Sequence, residues 1–168
     1  MKTTLEFGIR CGFLMTVVLA QPVWSVDKPS EYGEQVGTFS ILGYDPETGM
    51  VGGAVQSRVF SVGNGVLWGK ADVGMVATQA YVDVSYGPKG LQLLEDGLSP
   101  AQTVKTLLKN DPDPRPEKWP KQARQFSVMD WEGNFATHTG EKASFWAGHK
   151  YGKYCSAQGN ILASEDVV

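Results

Sequence analysis

The chain has 168 residues, of which 42% are hydrophobic and 20% are charged, and its formal net charge is −3. This length suits one domain with its own core, and the composition is that of a globular protein, which argues against intrinsic disorder. The 15 Lys and Arg residues are scattered rather than clustered, so the sequence predicts no nucleic-acid partner.

The first 25 residues have the features of a signal peptide. Lys2 and Arg10 come before or at the start of an apolar run at 11–20, and Val23 and Ser25 have the spacing of a cleavage site after Ser25. Because the run is shorter than the roughly 20 apolar residues of a membrane span, we expect no integral span after leader removal. The sequence therefore predicts export to the periplasm or the extracellular space. An uncleaved N-terminal anchor is the alternative.

After the leader, residues 26–37 form a polar linker and residues 38–168 form one domain. Alternating apolar residues at 38–44 predict a strand, the DPETG segment at 45–49 predicts a turn, and 50–55 predicts the returning strand of a hairpin. The glycine-punctuated stretch 61–69 is predicted to be a loop with a short strand, and the apolar run 73–80 to be a strand buried on both faces.

The middle of the chain carries the signals of two helices. The first is predicted to begin at Gly87–Pro88 and to stop near Gly97, and the second to begin with Ser99 as N-cap and Pro100 as first residue. Prolines at 112, 114 and 116 end the second helix.

The C-terminal part is predicted to contain a second hairpin, at 125–129 and 134–138, and a strand at 159–162. Strand pairs that flank a helix pair indicate an α+β fold. The segment 164–166 is typical of a helix cap, but the sequence stops at Val168, where the helix would begin. We therefore expect a domain that is truncated at its C-terminus.

Thr38, at the head of the first predicted strand, is the residue most suggestive of chemistry. A threonine at a free N-terminus carries its own base, because the α-amino group has a pKa of about 7.7–8.0 and lies next to Oγ1. Gly37 gives the preceding backbone the freedom that attack on its own carbonyl requires. Threonine is also a common strand residue, and β-propensity alone explains its presence here.

Several segments, in order, resemble an uncharacterised family of the N-terminal-nucleophile (Ntn) hydrolase superfamily. They are TFSI at 38–41, DPETG at 45–49, AVQSR at 54–58, VATQA at 76–80, YGPKGL at 86–91, HTG at 138–140, WAGH at 146–149 and SAQGNIL at 156–162. The resemblance covers about residues 38–165 and implies an αββα sandwich, in which two antiparallel sheets are covered by helices. It implies no particular reaction, because the activity of the family's members is not established.

Within that superfamily the nucleophile heads the first strand, which is the position of Thr38. The Gln56-Ser57-Arg58 run resembles a proteasome-type Asp-Ser-Arg segment beside the nucleophile, with Gln56 in place of the Asp. Lys70 lies at about the distance along the chain where a lysine that lowers the pKa of the nucleophile is expected. A solvated surface position is the alternative for Lys70.

Three further residues are catalytic candidates. His138 and His149 are the only histidines, and either one is a candidate general base or substrate-orienting group. No Cys or His pair has ligand spacing, so we expect neither a metal nor a cofactor. Asn160 is a candidate donor to an oxyanion, and Gln79 joins residues 56–58 as a candidate substrate-binding residue.

The sequence therefore favours an exported Ntn-type amidohydrolase, acting on a small-molecule or peptide-like amide, with Thr38 as nucleophile. This requires a cut at Gly37–Thr38. A non-catalytic envelope protein that binds a peptide or small amide on the same fold is the alternative. Acyl transfer by Cys155, the one cysteine after the leader, is a third reading. Homo-oligomerisation is compatible with all three.

Overall fold

The computed structural model describes residues 37–168, so the predicted leader and nearly all of the linker lie outside the described residues. Two four-stranded antiparallel sheets make up the body of the domain. The first sheet has the order β2-β1-β8-β7, and its strands are β1 (Thr38–Asp45), β2 (Met50–Ser57), β7 (Trp146–Tyr151) and β8 (Cys155–Leu162). The second has the order β3-β4-β5-β6, with β3 (Leu67–Lys70), β4 (Gly74–Ala80), β5 (Arg124–Asp130) and β6 (Phe135–Thr139).

The first hairpin forms because its turn satisfies its own polar groups. The Asp45 carboxylate accepts hydrogen bonds from the Glu47 backbone N–H and the Thr48 hydroxyl, at 3.0 and 2.6 Å. Gly49 takes a φ of +73°, which a glycine adopts without a steric cost. The register then pairs Thr38 with Ser57 at the far end of the hairpin, so the predicted hairpin is confirmed.

Three helices follow the first hairpin: the single-turn α1 (Gly63–Val66), α2 (Tyr86–Glu95) and α3 (Pro100–Asn110). The predicted start of α3 is confirmed by a capping box, in which the Ser99 hydroxyl accepts from the Gln102 N–H and the Gln102 side chain accepts from the Ser99 N–H. Helices α2 and α3 pack on the second sheet around a core of apolar side chains that includes Val76, Leu91 and Phe126. Short 3-10 turns complete the described elements, at Lys121–Ala123 and Glu165–Val167.

A buried ion pair ties the proline-rich loop after α3 to the sheet. The Asp111 carboxylate accepts from Arg124 Nε at 3.0 Å and from the Tyr86 hydroxyl at 2.7 Å. Burial opposes ionisation of Asp111, but these donors outweigh it and hold the pKa of Asp111 below its ordinary value. Burial and the carboxylate together raise the pKa of Tyr86 far above its usual range, so its hydroxyl stays protonated and donates.

The space between the sheets is apolar in one half and polar in the other. Leu42, Ala77 and Met129 form the apolar half, together with Val66 from α1. The polar half contains buried Ser, Thr, Gln and Asn side chains from both sheets, and it includes the head of β1. The predicted α+β class, with two antiparallel sheets, is therefore confirmed.

The sequence missed two features of the sheets. Residues 146–151 form β7, and β8 begins at Cys155 rather than at Gly159. Glycines within these segments weaken the alternation that marks a strand. No helix within residues 37–168 is long and apolar enough to cross a membrane.

Candidate functional site

Thr38 begins a central strand of the first sheet and is flanked by a strand on each side. It lies opposite Ser57 of β2 and Asn160 of β8. The Thr38 and Ser57 hydroxyl oxygens lie 2.8 Å apart, and the Val59 backbone N–H donates to Ser57 Oγ at 3.2 Å. These contacts orient Ser57 next to the Thr38 hydroxyl, so the structure places these two predicted site residues side by side.

The Gly37–Thr38 peptide lies against the end of β8. A Cβ added at Gly37 would come within 3.1 Å of the Ile161 carbonyl oxygen and 3.5 Å of a Leu162 methyl. The position therefore has little room for a larger residue unless β8 shifts.

Below Thr38, side chains from both sheets form a buried hydrogen-bond network. Ser40, two residues after Thr38 and on the same face of β1, donates to Gln79 Oε1 at 2.8 Å. Gln158 Nε2 donates to Ser40 Oγ at 3.1 Å and to the Ala77 carbonyl at 2.9 Å. These contacts hold the two sheets in register at the head of β1.

Gln125 is the centre of this network and is fully buried. Its Oε1 accepts from Gln79 Nε2 at 2.9 Å and from Asn160 Nδ2 at 3.1 Å. Its Nε2 faces three acceptors, which are the Gly159 carbonyl at 2.9 Å, the Gly148 carbonyl at 3.0 Å and the Thr139 hydroxyl at 3.0 Å. One side chain thus connects β5 with β4, β6, β7 and β8.

The two histidines belong to different sheets, because His149 lies on β7 of the first sheet and His138 lies on β6 of the second. His149 Nδ1 is 2.9 Å from Thr139 Oγ1. Gln125 Nε2 lies 3.0 Å from the same oxygen, so Thr139 connects His149 to the buried network. His138 instead packs against Phe126 of the helix-facing core, with the rings tilted by 50° and their centroids 5.7 Å apart.

Both histidines favour their neutral form. Burial lowers the pKa of His149 below its ordinary value of 6.5. Burial also lowers the pKa of His138, and the charge of His149 lowers it further. Each imidazole is therefore mainly unprotonated at neutral pH and is less basic than an exposed histidine.

These shifts predict how stability depends on pH. Because the folded pKa values are depressed, the unfolded chain binds more protons below pH 6.5, and the free energy of unfolding should fall as pH drops from about 6.5. Urea denaturation between pH 7.5 and 5.5 measures this fall. A His138→Gln, His149→Gln double variant should show a flatter profile over the same range, and an equally steep one would contradict the assignment.

A pocket opens beside Thr38, with a volume of about 280 Å³. Gln79 lies in its wall with Thr38, and the rest of the lining comes from the segment after β2, from α1 and from the residues that end and follow β4. Ser61 and Ala80, both in the lining, have positive φ values of 57° and 61°. Such backbone conformations are costly for non-glycine residues and cluster at functional sites.

Residues 38–168 match the model of a family of unknown function, DUF1028. The chain belongs to the DUF1028 family. Its structure is similar to the crystal structure of a Silicibacter pomeroyi protein assigned to the same family, with 36% sequence identity and a TM-score of 0.71. That alignment covers 78% of this chain and 58% of the Silicibacter protein, so the chain spans a little over half of that protein's length. No curated protein matches the chain.

Two predicted site residues of this DUF1028 domain lie away from Thr38. Lys70 ends β3 opposite Gly74 and pairs with Glu95 at 2.5 Å. Gly74 is five residues along β4 from Gln79, or about 16 Å at a rise of about 3.3 Å per residue. Gln56 pairs with Phe39, whose side chain is exposed on the opposite face of β1 from Thr38.

Two other candidates, Arg58 and Cys155, lie at different distances from Thr38. Arg58 is exposed and directly precedes the pocket-lining segment, so it lies near the site's mouth. Cys155 begins β8, five residues and about 16 Å from Asn160, which separates its thiol from the site. Within residues 37–168, no group of three or more His, Cys, Asp or Glu side chains is arranged to hold a metal ion.

Sequence reasoning missed Ser40, Gln125 and the apolar wall of the pocket. Gln125 and Ser127 alternate with Phe126 and Val128 along β5. That alternation marks one polar and one apolar face of the strand, and it is the signal that could have identified Gln125.

Proposed function

We propose that this DUF1028 domain is an exported Ntn-type amidohydrolase with the αββα architecture of that superfamily and Thr38 as its nucleophile. The observation that carries the proposal is the position of Thr38. Its hydroxyl lies at the head of a central strand, on the wall of a pocket and 2.8 Å from Ser57 Oγ. Hydroxyl pairs are common in sheets, but this pair includes a residue that lines a pocket.

The reaction begins once the Gly37–Thr38 bond is cut, either by the domain itself or by a protease. Thr38 Oγ1 attacks the amide carbonyl carbon while the free α-amine takes the hydroxyl proton. The C–N bond breaks, the leaving amine receives that proton, and an ester joins the acyl group to Thr38. Water then attacks the ester carbon while the α-amine accepts a proton from the water. The ester C–O bond breaks, the α-ammonium returns that proton to Thr38 Oγ1, and the carboxylic acid leaves.

The surrounding side chains provide orientation and a donor. Asn160 lies opposite Thr38, and its described hydrogen bond to Gln125 uses one of two amide hydrogens. We assign the second hydrogen to the oxyanion that forms on the substrate carbonyl, since a pre-oriented amide donor lowers the barrier. Gln125 acts as a positioning residue, because it holds Asn160 and Gln79 together.

A non-catalytic binding protein is the second candidate, and one observation favours it. The lysine expected to assist the nucleophile is instead paired with Glu95, away from Thr38. A domain without that lysine can still bind an amide in the pocket beside Thr38.

The N-terminus of the mature protein tests the proposal. Full-length protein is expressed with export, purified and subjected to N-terminal sequencing and intact-mass measurement. The amidohydrolase requires a mature chain that starts at Thr38. A single species that starts at Val26, with Gly37 still joined to Thr38, would favour the binding protein.

A further inference from the structure

The pocket beside Thr38 has walls that are almost entirely apolar. Val66 is the last residue of α1, Val62 directly precedes α1, and Val82 follows β4. Val59 and Phe60 lie at the rim, where their side chains are 56% and 97% exposed. A fully exposed phenylalanine next to an exposed valine leaves apolar surface that nothing in residues 37–168 covers.

Among residues 37–168, no ionisable side chain lines this pocket. Its polar members are the hydroxyls of Thr38 and Ser61 and the amide of Gln79, which already bonds with Ser40 and Gln125. A charged group that entered would lose its hydration without meeting an opposite charge among the lining side chains, whereas an apolar group would gain by leaving water. The volume of about 280 Å³ is enough for one aliphatic or aromatic side chain rather than for a large ligand.

We infer that the pocket selects amides whose acyl part carries a leucine- or phenylalanine-sized apolar side chain next to the carbonyl that Thr38 attacks. This inference rests on the proposed function. The acyl side chain occupies the space between Val62, Val66 and Val82, and Phe60 closes over it from the rim. Seating that group brings the carbonyl carbon to Thr38 Oγ1, so apolar binding contributes to the rate as well as to affinity.

The test uses the mature protein and four fluorogenic N-acetyl-aminoacyl coumarin amides that differ only in the side chain: Leu, Gly, Glu and Lys. The Leu amide should have a kcat/KM at least about tenfold above each of the others. Phe60→Ala should reduce the Leu:Gly ratio several-fold without unfolding the protein, because the Phe60 side chain is 97% exposed. Phe145→Ala is the matched control, since Phe145 is also exposed, at 73%, and lies outside the pocket; it should leave the ratio unchanged.

A binding measurement separates this inference from the catalytic proposal. The Thr38→Ala protein is labelled at valine methyls and titrated with isovaleramide and with succinamate, which is of similar size and charged. Isovaleramide should shift the Val62, Val66 and Val82 signals, and succinamate should not. If these shifts appear but the wild type hydrolyses no amide, the apolar pocket is supported and the proposed reaction is refuted. Turnover that favours the Glu or Lys amide, or an absence of isovaleramide shifts, would overturn the pocket assignment while leaving the nucleophile intact.

Discussion

Thr38→Ala is expected to abolish amide hydrolysis, with a loss in kcat of at least about a thousandfold. The substitution removes the only atom that forms the acyl ester, while the alanine fits a position where a buried threonine lies within a strand. Thr38→Ser keeps a hydroxyl on the same carbon and should retain measurable turnover. If the chain cuts itself, Thr38→Ala should also leave Gly37 attached, which intact mass measures separately from activity.

Thr48→Ala is the matched control for this experiment. Thr48 also bonds through its hydroxyl, to Asp45 at 2.6 Å, but it lies in the exposed turn at the opposite end of β1. Its loss should cost a little stability and leave turnover as in the wild type. Hydrolysis by Thr38→Ala at the wild-type rate would eliminate Thr38 as the nucleophile, whatever the stability of the variants.

Among substitutions in the site that keep a similar side-chain volume, Gln125→Leu should be the most destabilising. It should lower the free energy of unfolding by about 3–5 kcal/mol. Leucine neither accepts from Gln79 and Asn160 nor donates to the Gly148 and Gly159 carbonyls. Each of these buried groups would lose a partner, at about 1–3 kcal/mol for a group left unsatisfied. Urea denaturation followed by tryptophan fluorescence measures the loss.

The control applies the same substitution at an exposed glutamine. Gln92 lies on α2 and bonds only with Asp96 among the described hydrogen bonds, at 2.9 Å. Gln92→Leu should change the free energy of unfolding by no more than about 0.5 kcal/mol. Equal effects at the two positions would show that the Gln125 network contributes little to joining the sheets.

The sequence predicted local structure well wherever a local cause produces it. The turn at 45–49 and the capping box of Ser99 and Gln102 are each made by residues within five positions of one another. Their signals therefore survive in a single sequence. The pairing of Thr38 with Ser57 also follows from a local hairpin, because the turn fixes its register.

The predicted site residues that lie away from Thr38 are those whose position depends on distant parts of the chain. The distance of Lys70 along the sequence makes it a candidate, but the β3–β4 register places it at the other end of the sheet, next to Glu95. Gln56 follows the alternation of β2 to the outer face, next to Phe39. Gln125 makes bonds across 14 to 46 positions of the chain, and no short sequence pattern encodes such partners.

One measurement tests the nucleophile most directly. The mature protein is incubated with the N-acetyl-leucyl coumarin amide, quenched in acid within the first turnovers, digested and analysed by mass spectrometry. We expect a terminal peptide that starts at Thr38, carries the acetyl-leucyl group as an ester on Oγ1 and keeps a free α-amine. A terminal peptide in which Gly37 still precedes Thr38, from a preparation that hydrolyses the amide, would contradict the mechanism.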